Sequence, residues 1–296
     1  MSSHVPVLAK EATALLLPKK GSTVLDGTLG HGGHGALLGE AIGPEGTLIG
    51  LELDRDALQV AEENLKGLPF KKVFRQANFR NLDQVLKEEG IGELDAVLLD
   101  LGIGSHQIKS GRGFSFMEEA PLLMSFSQEK NAFSAKALVG AASELELEQI
   151  IRGYGEEKNA RRIAQAIVEA RSKGPIEKAS QLAEIIREAV SRKPWQKIDP
   201  ATKTFQALRI AVNDELGALS EALPKAWGAL KKGGRLGVIS FHSLEDRIVK
   251  HFFKEKEEEG IGRRITKKPI TAGLAEIKEN PRSRSAKLRI IEKCVS

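Results

Sequence analysis

Cysteine is almost absent. Cys294 is the only one in 296 residues, so the chain can build neither a disulfide framework nor a cysteine-based zinc site. Long apolar runs are missing as well. The longest early run, Ala14-Leu15-Leu16-Leu17, is too short for the core of a signal peptide or for a membrane span. Aromatics are scarce, at 5% of residues. No charge sign dominates: 45 Lys and Arg face 40 Asp and Glu, for a net charge of +5. With 41% hydrophobic and 29% charged residues, the composition is globular and argues against wholesale disorder. A soluble, cytosolic protein of one large or two ordinary domains is expected.

The mean charge hides an asymmetry. Residues 260–296 carry ten Lys and Arg against three acids, +7, which leaves −2 for the remainder. Such a cluster attracts phosphate-rich partners with a strength that falls as salt rises. It is also what a solvated basic face looks like.

Residues 23–102 alternate between two patterns. Thr23–Asp26, Thr47–Leu53, Val73–Phe79 and Leu94–Asp100 read as strands. The stretches after the glycine turn, Asp56–Leu65 and Leu82–Glu89 read as helices. Continuous apolar runs fit strands buried on both faces of a parallel sheet. Strict alternation predicts βαβ crossovers and a doubly wound α/β domain. From about 104 to 203 the strands disappear. A loop rich in Gly, Ser and Phe leads into amphipathic helices marked by Leu145, Leu147, Ile150 and Ile151, then Ile163, Ala166, Ile167 and Ala170, then Leu182, Ile185, Ile186 and Val190. The expected organisation is an α/β domain from 1–103 and 204–296, interrupted by an all-helical insertion at 104–203. Past the insertion, Thr204–Leu230 reads as one or two helices and Arg235–Phe241 as a strand. A helix over Ser243–Lys256 follows, with Ser243 as N-cap and Asp246 at N3. Short strands near Arg263–Lys267 and Lys287–Ile291 close the sheet.

The first strand runs into Asp26-Gly27-Thr28-Leu29-Gly30-His31-Gly32-Gly33-His34-Gly35. Glycines at a strand-to-helix turn let backbone approach a ligand, and the helix end supplies N–H donors. Glu52 and Asp54 end the second strand, where a carboxylate can bind ribose hydroxyls. A dinucleotide or S-adenosylmethionine would fit. The turn favours the second, because an acid suits a sulfonium and an ammonium better than a pyrophosphate. Asp100 adds a carboxylate at the same rim. His31 and His34 share the turn without matching ligands elsewhere, so no metal site is expected.

These residues, with longer blocks, resemble the bacterial ribosomal RNA small-subunit methyltransferase H family, also called MraW. The blocks are His4-Val5-Pro6-Val7-Leu8, the Asp26–His34 turn, Asp54-Arg55-Asp56, Asp100-Leu101-Gly102, Gly113-Phe114-Ser115-Phe116, Tyr154-Gly155-Glu156-Glu157, Thr204–Ile210, Ser240–Arg247 and Asn280–Ser285. The resemblance implies a class I, Rossmann-like S-adenosylmethionine methyltransferase sheet. It implies methylation of the N4 amine of one decoding-centre (P-site) cytosine in the 16S rRNA of the small subunit. It also implies cofactor contacts from Gly32, Gly33 and His34 in the turn, Asp54 at the ribose, Phe79 against the adenine, and Asp100 and Gln107 on the methionine and substrate side. Two places depart from the family pattern: Gly104-Ser105 where paired serines are usual, and Leu123 and Ser125 where an acid and an arginine are usual.

N4 methylation needs an acceptor for the amine proton. The candidates are Asp100, Ser105 and His242, in that order. Phe114 and Phe116 could stack on the target base, although so few aromatics imply that at least one of them packs instead. Arg282, Arg284, Lys287 and Arg289 are the first phosphate candidates, and Arg161 and Arg162 form a second patch. Monomer and homodimer both remain open. The competing readings are an RNA-binding or ribosome-assembly factor, non-catalytic or retargeted, that keeps the pocket, and a dinucleotide-dependent oxidoreductase, which Asp26 disfavours.

Overall fold

A computed structural model describes residues 6–108, 110–117, 119–129, 132–190 and 198–295. His4, Val5 and Trp195 lie outside the described residues, as do the side chains of Ser105 and His106. The chain divides into two compact units, Met1–Gly102 with Leu216–Ser296, and Ile103–Glu215.

The first unit is built on seven strands: β1 (Thr23–Asp26), β2 (Thr47–Glu52), β3 (Lys71–Gln76), β4 (Leu94–Asp100), β5 (Leu230–Ser240), β6 (Gly262–Arg264) and β7 (Lys287–Lys293). Their order is β3-β2-β1-β4-β5-β7-β6. β1 to β5 run parallel, and β7 is antiparallel to both β5 and β6. The alternation of side chains along each strand creates two cores. Leu25, Ile49, Leu51, Val97, Leu99, Leu236 and Val238 face one side. Val24, Leu48, Ala96, Leu98 and Ile239 face the other. The helices Leu82–Glu88, Glu215–Ala229 and Ser243–Glu258 cover the first face, and Ala9–Leu16, Gly33–Ile42 and Arg55–Leu65 cover the second. This is the doubly wound arrangement; the central strands β1, β2 and β4 are largely apolar because both of their faces are covered, whereas the edge strand β3 is polar and partly exposed.

Several boundaries differ from the sequence reading. The third strand ends at Gln76, and Phe79 begins the short 3-10 helix Phe79–Asn81. The last long helix is capped one residue early. His242 is its N-cap, with Nδ1 accepting the Glu245 N–H at 3.4 Å and Glu245 Oε2 accepting the His242 N–H at 3.3 Å. This arrangement frees Asp246, expected at N3, for another partner.

The second unit is helical, with Ala135–Ala141, Glu144–Gly155, Ala160–Lys173, Ala179–Ala189 and Ala201–Asn213 as its main elements. Leu147, Ile151, Ile163, Ile167, Leu182 and Ile186 form its core. Leu145, expected on that face, is exposed. The unit ends later than expected: Ala201, Phe205 and Leu208 are buried in its core, which carries the helix Ala201–Asn213 with it. Within the Gly/Ser/Phe-rich stretch, Met124 N–H donates to the Arg112 carbonyl at 2.8 Å and Asn213 Nδ2 donates to the Met124 carbonyl at 2.8 Å.

Candidate functional site

β1 lies between β2 and β4, and the chain order reverses direction across the sheet at β1 and β4. Open α/β sheets bind ligands at this position, at the carboxyl ends of the strands. Here the three ends are acids: Asp26 on β1, Glu52 on β2 and Asp100 on β4.

The glycine turn threads between them. Gly27 N–H donates to the Leu98 carbonyl and Leu29 N–H to the Leu51 carbonyl, each at 2.9 Å, so the turn is tied to both neighbouring strands. A side chain at Gly27 would meet Leu99 Cδ2 at 2.5 Å and Phe79 Cβ at 3.4 Å. Gly32, at φ +85°, is the N-cap of Gly33–Ile42, a backbone shape that residues with a side chain rarely adopt.

Glu52 holds the turn rather than a ligand. Its two oxygens accept from Gly30 N–H at 2.9 Å and Asp54 N–H at 2.8 Å. Burial pushes its carboxyl up to about 6 against the pull of those N–H groups. Asp54, expected at the ribose, is buried and is the N-cap of Arg55–Leu65, with Oδ1 accepting from Asp56 N–H at 3.1 Å. Thr28 was not singled out in the sequence. Its N–H donates to Asp26 Oδ1 at 3.2 Å and its hydroxyl accepts the Asp100 N–H at 2.7 Å, so it links two of the acids.

Asp26 is fully buried, and burial raises its carboxyl to about 6, with His34 opposing. His34, on the first turn of its helix, is buried with Nε2 3.4 Å from Asp100 Oδ2. This is an ion-pair separation without hydrogen-bond geometry. Burial works against a charged imidazole, but Asp100 and then Asp26 outweigh it and raise His34 above its ordinary value. Two buried carboxylate oxygens, Asp26 Oδ2 and Asp100 Oδ1, have no hydrogen-bond partner among the described residues. Buried acceptors left open in this way are costly unless a ligand meets them. A negative, partly unsatisfied cradle fits a cationic ligand, as S-adenosylmethionine is, and does not suit a pyrophosphate.

The other candidates are placed as follows. Phe79 is half-buried beside the turn. Gln107 belongs to the helical unit, buried, with Oε1 accepting the Gly104 N–H at 2.9 Å. Ser105 begins the short helix Ser105–Ile108. His242, a candidate acceptor, has Nδ1 committed to the helix cap and Nε2 3.1 Å from Glu245 Oε1. Phe114 stacks on Phe126 and Phe116 meets Phe205 edge-on, so both partly buried rings pack within their own unit. Arg289 is a clear correction. Its guanidinium is buried against Asp246, which Lys287 also reaches at 3.2 Å. A buried pair of this kind is not open to phosphate. Arg161, Arg162, Arg282 and Arg284 are exposed.

The MraW methylase family model matches residues 1–294. The chain is 47% identical to the ribosomal RNA small subunit methyltransferase H of Coprothermobacter proteolyticus, over 99% of this chain and 96% of that protein. It is likewise 47% identical to the proteins of that name from Geobacter sulfurreducens, over 98% and 99%, and Persephonella marina, over 99% and 100%. With the acid-rimmed cradle, these matches establish that the chain belongs to the MraW methylase family and is an S-adenosylmethionine-dependent methyltransferase.

Proposed function

We propose that this chain methylates the N4 amine of a decoding-centre (P-site) cytosine in 16S rRNA, acting in the cytoplasm on the small ribosomal subunit. The observation that carries the reading is Asp100: a carboxylate at the ligand-binding edge of the sheet, its side chain 23% exposed. Relatives at 47% identity named for small-subunit rRNA methylation support the substrate.

Bound S-adenosylmethionine supplies an electrophilic methyl group on a positively charged sulfur. The remaining work falls to the chain. Asp26 and Asp100 favour a cation at the edge, and Gly32 and Gly33 let the backbone approach it. The cytosine N4 lone pair is delocalised into the ring. A hydrogen bond from the amine to the Asp100 carboxylate makes nitrogen more nucleophilic, and the same carboxylate receives the proton. The base must be single-stranded or flipped to reach such a site. The helical unit serves substrate recognition, with Arg161 and Arg162 for phosphate, and Arg282 and Arg284 do the same from the α/β unit.

The test is methyl transfer from labelled cofactor to 30S particles taken from cells lacking the enzyme, with the modified base mapped. Label on N4 of one decoding-region cytosine is expected. Asp100→Ala should lose turnover by about 10²–10⁴-fold at saturating cofactor. Label elsewhere, or full turnover by that variant, would overturn the substrate or the acceptor respectively.

A further inference from the structure

The glycine turn has a neighbour that cofactor binding alone does not explain. Gly33 starts the helix Gly33–Ile42, and a side chain built there would meet Cγ of Pro6 at 2.8 Å. The Pro6 ring therefore lies directly on the turn backbone. Val7 and Leu8 follow it, 5% and 0% exposed. Leu8 belongs to the same core as Leu29 of the turn and as Ala286 and Leu288 near the end of the chain. Its backbone is left-handed, at φ +51°, a shape that a residue with a side chain keeps only where its surroundings fix it. Leu8 is the N-cap of Ala9–Leu16, and its carbonyl accepts the Ala12 N–H at 2.8 Å. The N–H of an N-cap residue has no partner within its own helix. Here it donates to Oε1 of Glu276 at 2.8 Å, 268 residues later in the chain. Glu276 sits in the first turn of the short helix Leu274–Glu279, within the same compact unit.

We propose that Glu276 is a positioning residue for S-adenosylmethionine binding: by holding the Leu8 N–H, its carboxylate seats Pro6 against Gly33 and so fixes the glycine turn in its binding shape. Glu276 acts through Leu8 and Pro6 and is not itself a cofactor contact. Gly32 and Gly33 have no side chains to restrict their own backbone, so the turn depends on what packs against it. A site that is correctly formed for only a fraction of the time binds with an affinity lowered by that fraction. Loss of the Glu276 bond should therefore appear in cofactor affinity. The proposal depends neither on which base is methylated nor on Asp100 as the proton acceptor. The competing account is that Glu276 only ties an early segment of the chain to a late one. It would then act on stability and not on affinity measured well below the melting temperature.

Two measurements separate these accounts. The first is amide hydrogen exchange in the full chain without cofactor. The Leu8 amide should exchange about tenfold faster in Glu276→Ala than in wild type, while the amide of Leu98 in β4 keeps its rate and shows that the sheet is intact. Equal Leu8 exchange in the two proteins would mean that the bond holds nothing, and would overturn the proposal. Adding S-adenosylmethionine to wild type should slow Leu8 more than it slows Leu98, because a ligand that needs the seated turn also favours it. This arm needs no variant, and no selective slowing of Leu8 would overturn the proposal as well. The second measurement is calorimetric titration with S-adenosylmethionine. Glu276→Ala should weaken binding about tenfold. Glu276→Gln should stay within about threefold of wild type, because its amide oxygen accepts the same N–H. Unchanged affinity in Glu276→Ala despite faster Leu8 exchange would leave Glu276 a structural tie and sink the positioning role. A folded Glu276→Gln as weak as Glu276→Ala would do the same, since the bond to Leu8 would then not be the cause.

Discussion

The guanidinium of Arg289 closes on the carboxylate of Asp246, Nε to Oδ1 at 2.6 Å and Nη2 to Oδ2 at 3.2 Å. The pair joins the middle of β7 to the first turn of the helix Ser243–Glu258, and the two side chains are 8% and 13% exposed. Burial raises the Asp246 carboxyl, but Arg289 and Lys287 overcome it and hold it below its ordinary value. Removing one partner leaves the other charge buried, so Arg289→Ala should destabilise the protein by roughly 3 kcal/mol. The sign with pH follows from the lowered carboxyl. The contribution of the pair is present above about pH 4 and is lost as pH falls through the folded value of Asp246. Thermal unfolding from pH 7 to pH 2.5 should show the gap between wild type and Arg289→Ala narrowing at the acid end. A gap constant in pH would refute the pair as its source.

Asp26 should behave in the opposite way. Its folded value is raised to about 6 by burial. Folding favours its neutral form, and stability is lost as pH climbs from about 4, where the unfolded group ionises, to about 6. Asp26→Asn removes that loss. In cofactor-free protein it should stabilise by an amount on the order of 2 kcal/mol at pH 8 and almost nothing at pH 4. The same change should weaken S-adenosylmethionine binding by about tenfold or more if the proposed role of Asp26 in favouring a cation at the sheet edge holds. Calorimetry of folding and of binding on one preparation reads both effects. A variant less stable at pH 8 would show that the buried charge is already compensated.

Gly39 illustrates a constraint that helix propensity alone would misjudge. Replacing a mid-helix glycine by alanine ordinarily gains up to about 1 kcal/mol. At Gly39 the new Cβ would lie 2.1–2.6 Å from three atoms of the Phe70 ring, itself 5% exposed. A ring packed on the sheet core has no free direction in which to move. Gly39→Ala should therefore lower stability by about 1–3 kcal/mol. Adding Phe70→Leu should cost less in that background than in wild type, a coupling that chemical denaturation of the four proteins would measure. Simple additivity would mean that the ring relaxes away.

The parallel part of the sheet was legible because burial on both faces leaves strands such as Leu94–Asp100 almost wholly apolar, and because Gly27–Gly35 marks the switch into a helix. What escaped the sequence depends on pairings between distant residues. That β7 lies between β5 and β6 is a long-range choice with no local signature. The burial of Arg289 depends on a partner 43 residues earlier, so it reads as one more charge in a basic run. His242 as N-cap was hidden by Ser243, the commoner capping residue, one position later. Leu145 follows the helical spacing but falls on the far side from Leu147 and Ile151. Thr28 was passed over because its task, tying Asp26 to Asp100, exists only once β1 and β4 are side by side.

Arg284 and Arg161 put the division between structural and phosphate-facing cations to the test. Both are exposed, on the 3-10 helix Pro281–Ser285 of the α/β unit and on Ala160–Lys173 of the helical unit, whereas Arg289 is enclosed. A cation that meets a phosphate releases a counterion on binding. Its loss should reduce the slope of log affinity against log salt by about 0.7–0.9. Arg284→Gln and Arg161→Gln should each lower that slope for small-subunit RNA while leaving unfolding unchanged within about 0.5 kcal/mol. Arg289→Met should lower stability and leave the slope alone. Binding titrations between 50 and 300 mM salt, paired with thermal unfolding of each variant, read the two effects separately. Were the slopes of all three unchanged, the exposed arginines would be solvated surface and the RNA would be held elsewhere.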